Sequence, residues 1–100
     1  MNMQQMMAQA QKMQRELKTA QAELAQKEFK ISKGGAVTVI VLGSKEIKSV
    51  DIDNDAFDAE NKETIQDMIA LAINEAMEQI DEESEAINER ITGQRGGFGF

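Results

Sequence analysis

Cysteine, histidine, proline, tryptophan and tyrosine are all missing from this 100-residue chain. Without cysteine there is no disulfide framework and no thiolate chemistry. Without histidine the side chain that most often shuttles protons near neutral pH is gone. Ser32, Ser44, Ser49 and Ser84 have no imidazole partner and no nucleophile-elbow context. Gly34-Gly35 lacks the spacing of either nucleotide-binding loop. These gaps argue against an enzyme, and the sequence calls for no cofactor or metal. Four phenylalanines supply too few rings for a base-stacking platform. No apolar run approaches the roughly 20 residues of a transmembrane span, and the first residues lack the features of a secretory signal. The expectation is a cytoplasmic protein with no membrane partner.

What is present is a long amphipathic opening. Met3, Met6, Ala10, Met13, Leu17, Ala20 and Leu24 follow at steps of three and four, the seam of a helix packed lengthwise on another. The spacing predicts a helix over about residues 2–27. It would be about 39 Å long at 1.5 Å per residue, against a radius of gyration of about 13 Å for a compact chain of this length. Such a helix overhangs its own domain, and its seam needs a C-terminal helix, a second subunit, or both.

From Glu28 the period changes to alternation, with Phe29 and Ile31 on one face. Gly34-Gly35 reads as a turn. Ala36 to Leu42 is a β-branched run apolar on both faces, expected as a central strand covered on each side. Ile47 to Ile52 completes a three-stranded antiparallel sheet over about 28–53. Asp51, Asp53 and Asp55 read as strand-exit and turn formers. A second long helix, about 60–91, follows. Its first half carries the broad apolar arc of Ile65, Met68, Ile69, Ala72, Ile73, Ala76 and Met77, which should cover the sheet. Its second half narrows to Ile80, Ile87 and Ile91, with Ser84 in the same row. Residues 93–100 form a Gly-rich tail, expected to be flexible. The fold class is therefore α+β, α-β-β-β-α, as a single domain over 1–92. Met3, Met6, Ala10, Met13, Leu17, Ile80, Ile87 and Ile91 are the expected dimer seam.

The net charge of -7 is unevenly spread. Lys12, Arg15, Lys18, Lys27, Lys30 and Lys33 outnumber the three glutamates of residues 1–33, which carry +3. Residues 58–91 set Lys62 and Arg90 against eleven acids and carry -9. Asp81, Glu82, Glu83 and Glu85 read as a solvated acidic face, with a hard-cation site as the minor alternative. On a helical wheel Lys12, Arg15 and Lys18 fall opposite the apolar seam. The arm can thus bury its seam and still present a basic stripe. Gln4, Gln5, Gln9, Gln11 and Gln14 are further candidates for contacts to phosphates or base edges.

Several segments, taken in order, resemble the YbaB/EbfC family of bacterial nucleoid-associated proteins. These are Asn2-Met3-Gln4-Gln5-Met6-Met7, Gln9-Ala10-Gln11-Lys12-Met13-Gln14, Gly34-Gly35 before a Val-rich strand, Ile47-Lys48-Ser49-Val50-Asp51-Ile52-Asp53, and Gln66-Asp67-Met68-Ile69 continuing to Ala72-Ile73-Asn74-Glu75-Ala76. The resemblance implies a tweezer-like homodimer that binds double-stranded DNA and associates with the nucleoid. The prolines usual in the family after the third strand and in the tail are absent. The resulting expectation is a non-enzymatic DNA-binding dimer with little or modest sequence specificity. Its phosphate contacts would come from Lys12, Arg15 and Lys18, with Lys27, Lys30 and Lys33 at the arm base. The alternative is a protein-interaction dimer, an adaptor to a replication or repair protein, with incidental DNA contact.

Overall fold

The computed structural model describes residues 2–93. Helix α1 spans Met3–Gln26, strands β1, β2 and β3 span Glu28–Lys33, Val37–Leu42 and Ile47–Ile52, and helix α2 spans Lys62–Thr92. The order is the expected α-β-β-β-α. Asn2 sets the start of α1. Its Oδ1 accepts from the Gln5 amide at 2.9 Å, and Gln5 Oε1 accepts in return from the Asn2 amide. This capping box satisfies two of the orphan donors of the first turn. At Lys27 the backbone becomes extended and the chain enters the sheet.

Both hairpins are antiparallel, giving the order β1-β2-β3. Gly34 and Gly35 turn the first with φ of 58° and 67°, a region that side chains strain to enter. Gly43 has a different duty. The loop after β2 lies on the end of α1, where the Gly43 amide donates to the Lys27 carbonyl at 2.9 Å and the Ser44 amide to the Ala25 carbonyl at 3.1 Å. A Cβ on Gly43 would stand 1.8 Å from the Leu24 carbonyl oxygen, so only glycine fits. This backbone contact fixes α1 to the sheet. Between β2 and β3 the register shifts at Ile40/Val41, a bulge that admits Lys48 as an extra residue. Asp53 and Asp58 then cap two short 3-10 turns, Asn54–Ala56 and Ala59–Asn61, by accepting from the Asp55 and Glu60 amides.

Helix α2 covers one face of the sheet. Val37, Val39 and Val41 of β2, Phe29 and Ile31 of β1, and Ile65, Ala72, Ala76 and Ile80 of α2 are buried together. Each large side chain so buried contributes on the order of 1.5–3 kcal/mol. The expectation that β2 is covered on both sides is corrected. Thr38, Ile40 and Leu42 are only half-buried, and Lys30, Ser32, Ser49 and Asp51 beside them are exposed. The reason is that α1 does not lie on the second face. It packs along the far half of α2, and the pair leaves the sheet as a two-helix arm. The molecule is accordingly drawn out to 68 × 22 × 15 Å, with a radius of gyration of 19.0 Å.

Two of the expected seam residues, Ile80 and Ile87, are 2% and 7% exposed within one chain, so they have almost no area left for a second subunit. The apolar rows of α1 and α2 cover each other because the two helices run antiparallel: Leu24 is buried, and Leu17, Ala20 and Ile91 pack against the core. A polar cross-link sits in that seam, where the Gln21 amide donates to the Asn88 side chain at 3.3 Å and to the Ser84 carbonyl, and the Ser84 hydroxyl donates to Gln21 Oε1. Beyond it α1 runs on alone, every residue from Asn2 to Lys12 being exposed. The expected tail, apart from Gly93, lies outside the described residues.

Candidate nucleic-acid interface

The six basic candidates divide into two groups. Those at the arm base are engaged by the chain's own acids. Lys27 Nζ lies 2.5 Å from Glu83 and 5.3 Å from the centroid of the Phe29 ring. Lys33 Nζ lies 2.9 Å from Glu75 and is the more buried of the two. Both acids belong to α2, so the acidic helix pairs with basic side chains at the two ends of β1. Lys45 and Lys48 are held in the same way, by Asp81 at 2.8 Å and by Glu28 at 2.5 Å. Lys30 is exposed on the uncovered face of the sheet, away from the arm.

The arm group stands apart. Lys12, Arg15 and Lys18 are all exposed on α1, and Arg15 also borders, with Glu16 and Glu23, the open groove between α1 and Arg90 and Ile91 of α2. Lys12 approaches Glu16 at 3.9 Å with its side chain 69% exposed. An i,i+4 pair that open to solvent is worth about 0.3–0.5 kcal/mol and does not withhold the ammonium from another anion. The stripe crosses the middle of the arm, because residues 2–11 carry no charged side chain at all. Gln4, Gln9, Gln11 and Gln14 are exposed around it, whereas Gln5 is committed to the helix cap.

Among the described residues no group of three or more carboxylates, histidines or cysteines is placed to hold a metal ion. Two of the acids of α2, Asp81 and Glu83, are taken by lysines. No helix in the described residues is long and apolar enough to cross a membrane.

An apolar flank lies at the opposite end of the molecule. β3 is an outer strand whose core-side residues Ile47 and Val50 are 45% and 43% exposed. Phe57, 76% exposed, stands beyond the Ile52 end of the same strand. It borders an open cavity of about 490 Å³ lined also by Ile52, Ala59, Ile65 and Ile69. A residue-by-residue reading missed this flank, since Val50, Ile52 and Phe57 look like ordinary core residues in sequence. The exposure comes from α2 lying over β1 and β2 more than over β3.

Comparison with known proteins agrees with this architecture. The model of the YbaB/EbfC DNA-binding family matches residues 1–95. A nucleoid-associated protein of Clostridium novyi is 45% identical over 94 residues, spanning 93% of this chain and 82% of the relative. One from Saccharopolyspora erythraea is 45% identical over 97 residues, 96% of this chain and 84% of the relative. The crystal structure of an uncharacterized protein from Helicobacter pylori superposes with a TM-score of 0.75 at 22% identity, covering 93% of this chain and 99% of that one. At that identity the likeness shows the fold.

Proposed function

This chain belongs to the YbaB/EbfC DNA-binding family of nucleoid-associated proteins, and from that membership we propose that it is a non-enzymatic homodimer that grips duplex DNA by its arms. The reading is carried by one observation. Lys12, Arg15 and Lys18 are exposed opposite the apolar seam, while Lys27 and Lys33 are tied to acids. Two arms would present six cations to phosphates. Contacts of this kind neutralise backbone charge, fix orientation and read little sequence. The acidic face of α2 repels the duplex and turns it toward the α1 side of each arm.

A dimer is supported by the β3 flank. An open strand edge beside Val50, Ile47 and Phe57 is the kind of surface that a soluble chain covers. A second copy there would bury it by the same patch on each side, as two-fold symmetry requires. The arms, at the other end of the molecule, would stay free.

The test is a fluorescence-anisotropy titration of a random-sequence duplex, comparing the protein with the triple variant Lys12→Glu, Arg15→Glu, Lys18→Glu. Binding should vanish in the variant while its sedimentation behaviour is unchanged. Binding that survives the triple reversal overturns the site. No binding by the unaltered protein even at low salt overturns the DNA reading and favours the adaptor.

A further inference from the structure

The first eleven residues of the arm are the least explained part of the molecule. Met3 and Met6 are 76% and 58% exposed, on a stretch of helix with no partner among the described residues and no charged side chain before Lys12. With Ala10 and Met13 they continue the seam past the end of α2. The DNA reading makes no use of this stripe, because it lies opposite the basic side chains.

We propose that the stripe is a docking site for the C-terminal tail of the same chain, with Phe98 and Phe100 as its anchors. Three observations support this. First, α2 ends on the stripe: Thr92 joins Ala10, Met13, Gln14 and Leu17 around a cavity of about 180 Å³. The chain therefore leaves α2 on the apolar side of α1, and Gly93, at φ 74°, ends the helix there. Second, the reach fits. From the level of Met13 to Met3 is ten residues of helix, about 15 Å. Extended chain advances about 3.3 Å per residue, so the five residues from Gly93 to Phe98 can span about 16 Å and the seven to Phe100 about 23 Å, enough for both rings to reach the stripe between Met6 and Met3. Third, the chemistry matches. Residues 94–100 hold two aromatic rings among glycines with a single cation and no acid. Thioether sulfur packs favourably against aromatic edges, and the stripe has no charge to desolvate. A tethered segment this short meets its site at millimolar effective concentration, an advantage that a second copy or a foreign helix lacks.

The test reads the methionines directly and involves no DNA, so its outcome is independent of the proposed function. Dilute peroxide converts exposed methionine to the sulfoxide. In the full chain Met3 and Met6 should oxidise several-fold more slowly than in the double variant Phe98→Ser, Phe100→Ser, as read by peptide mass spectrometry. Met7, off the stripe, and Met68 and Met77 on α2 serve as references whose rates should not change. Equal rates for Met3 and Met6 in the two proteins overturn the proposal. A second measurement identifies the occupant. The chain has no cysteine, so a nitroxide on Gly99→Cys is the sole label, and it should broaden the Met6 methyl resonance of its own chain. Broadening seen instead when labelled chains are mixed and refolded with unlabelled, methyl-enriched chains places the tail on another copy and overturns docking within the chain.

Discussion

The division of the basic residues makes a quantitative prediction. If the arms alone read phosphates, six cations per dimer are in play, three on each α1. Log affinity should then fall with log salt with a slope of about -5, which is a loss of roughly a thousandfold between 50 and 200 mM salt. Replacing Arg15 and Lys18 by Gln removes four of the six contacts. The slope should drop to about -2 and the low-salt affinity should fall steeply. Replacing Lys27 and Lys33 by Gln is the informative control, since it removes the same formal charge from the same chain. Their ammonium groups face Glu83 and Glu75 at 2.5 and 2.9 Å, so the variant loses cations already compensated within the chain. Its slope should match that of the unaltered protein. Its stability should fall by no more than about 1 kcal/mol, as expected of partly exposed pairs. The assay is fluorescence anisotropy with a random-sequence duplex at four or more salt concentrations, with urea unfolding as the stability check. A Lys27/Lys33 variant whose slope flattens as much as that of the Arg15/Lys18 variant would refute the assignment. It would mean that general positive charge, and not the exposed stripe, controls binding.

Two further predictions concern the scaffold. Gly43→Ala should lower stability in urea unfolding by about 1–3 kcal/mol or more, because its Cβ would overlap the Leu24 carbonyl and push α1 off the sheet; unchanged stability would show that α1 is not fixed there. Val50→Lys combined with Phe57→Asp should yield a folded monomer by analytical ultracentrifugation, since both side chains are exposed in the single chain. A dimer that persists in that variant would rule out the β3 flank as its interface.

The order of elements was legible because the hydrophobic period changes where the structure changes. The 3-4 steps from Met3 to Leu24 give way to alternation at Phe29 and Ile31, and a glycine pair marks the first turn. The identity of the partner of each face was not legible. A seam such as Ile80, Ile87 and Ile91 states only that a helix packs against something. That its cover is α1 of the same chain follows from the antiparallel return of α2 past Gln21 and Leu24. Likewise β2 is apolar on both sides, yet only the side bearing Val37, Val39 and Val41 meets a helix. The wheel placed Lys12, Arg15 and Lys18 together on one side, and they are exposed there. It gave no hint that Lys27 and Lys33 face glutamates far along the chain, because such pairing depends on tertiary contact. The Asn2–Gln5 capping box was available as a local signal, and it explains why the helix begins where it does.

A protein of net charge -7 is an unexpected partner for a polyanion only if net charge is the relevant variable. The molecule is 68 Å long, and mobile ions screen exposed charges over about 8 Å at physiological ionic strength. The acids at the start of α2 are roughly 40 Å along the helix axis from Arg90, about five screening lengths from the arm. In the proposed binding mode, what a duplex meets is local. On the arm the α1 side carries Lys12, Arg15 and Lys18, and the α2 side carries Glu82 and Glu85 beside Arg90. Glu83, Glu75 and Asp81 of the same helix are engaged with Lys27, Lys33 and Lys45. The same acidic helix therefore pairs with basic side chains at the arm base and, in the proposed binding mode, makes one side of the arm repulsive. Removing acids from α2 need not simply strengthen DNA binding. It would also release base lysines as additional phosphate contacts and weaken the preference for one side of the arm, trading a defined orientation for stickiness.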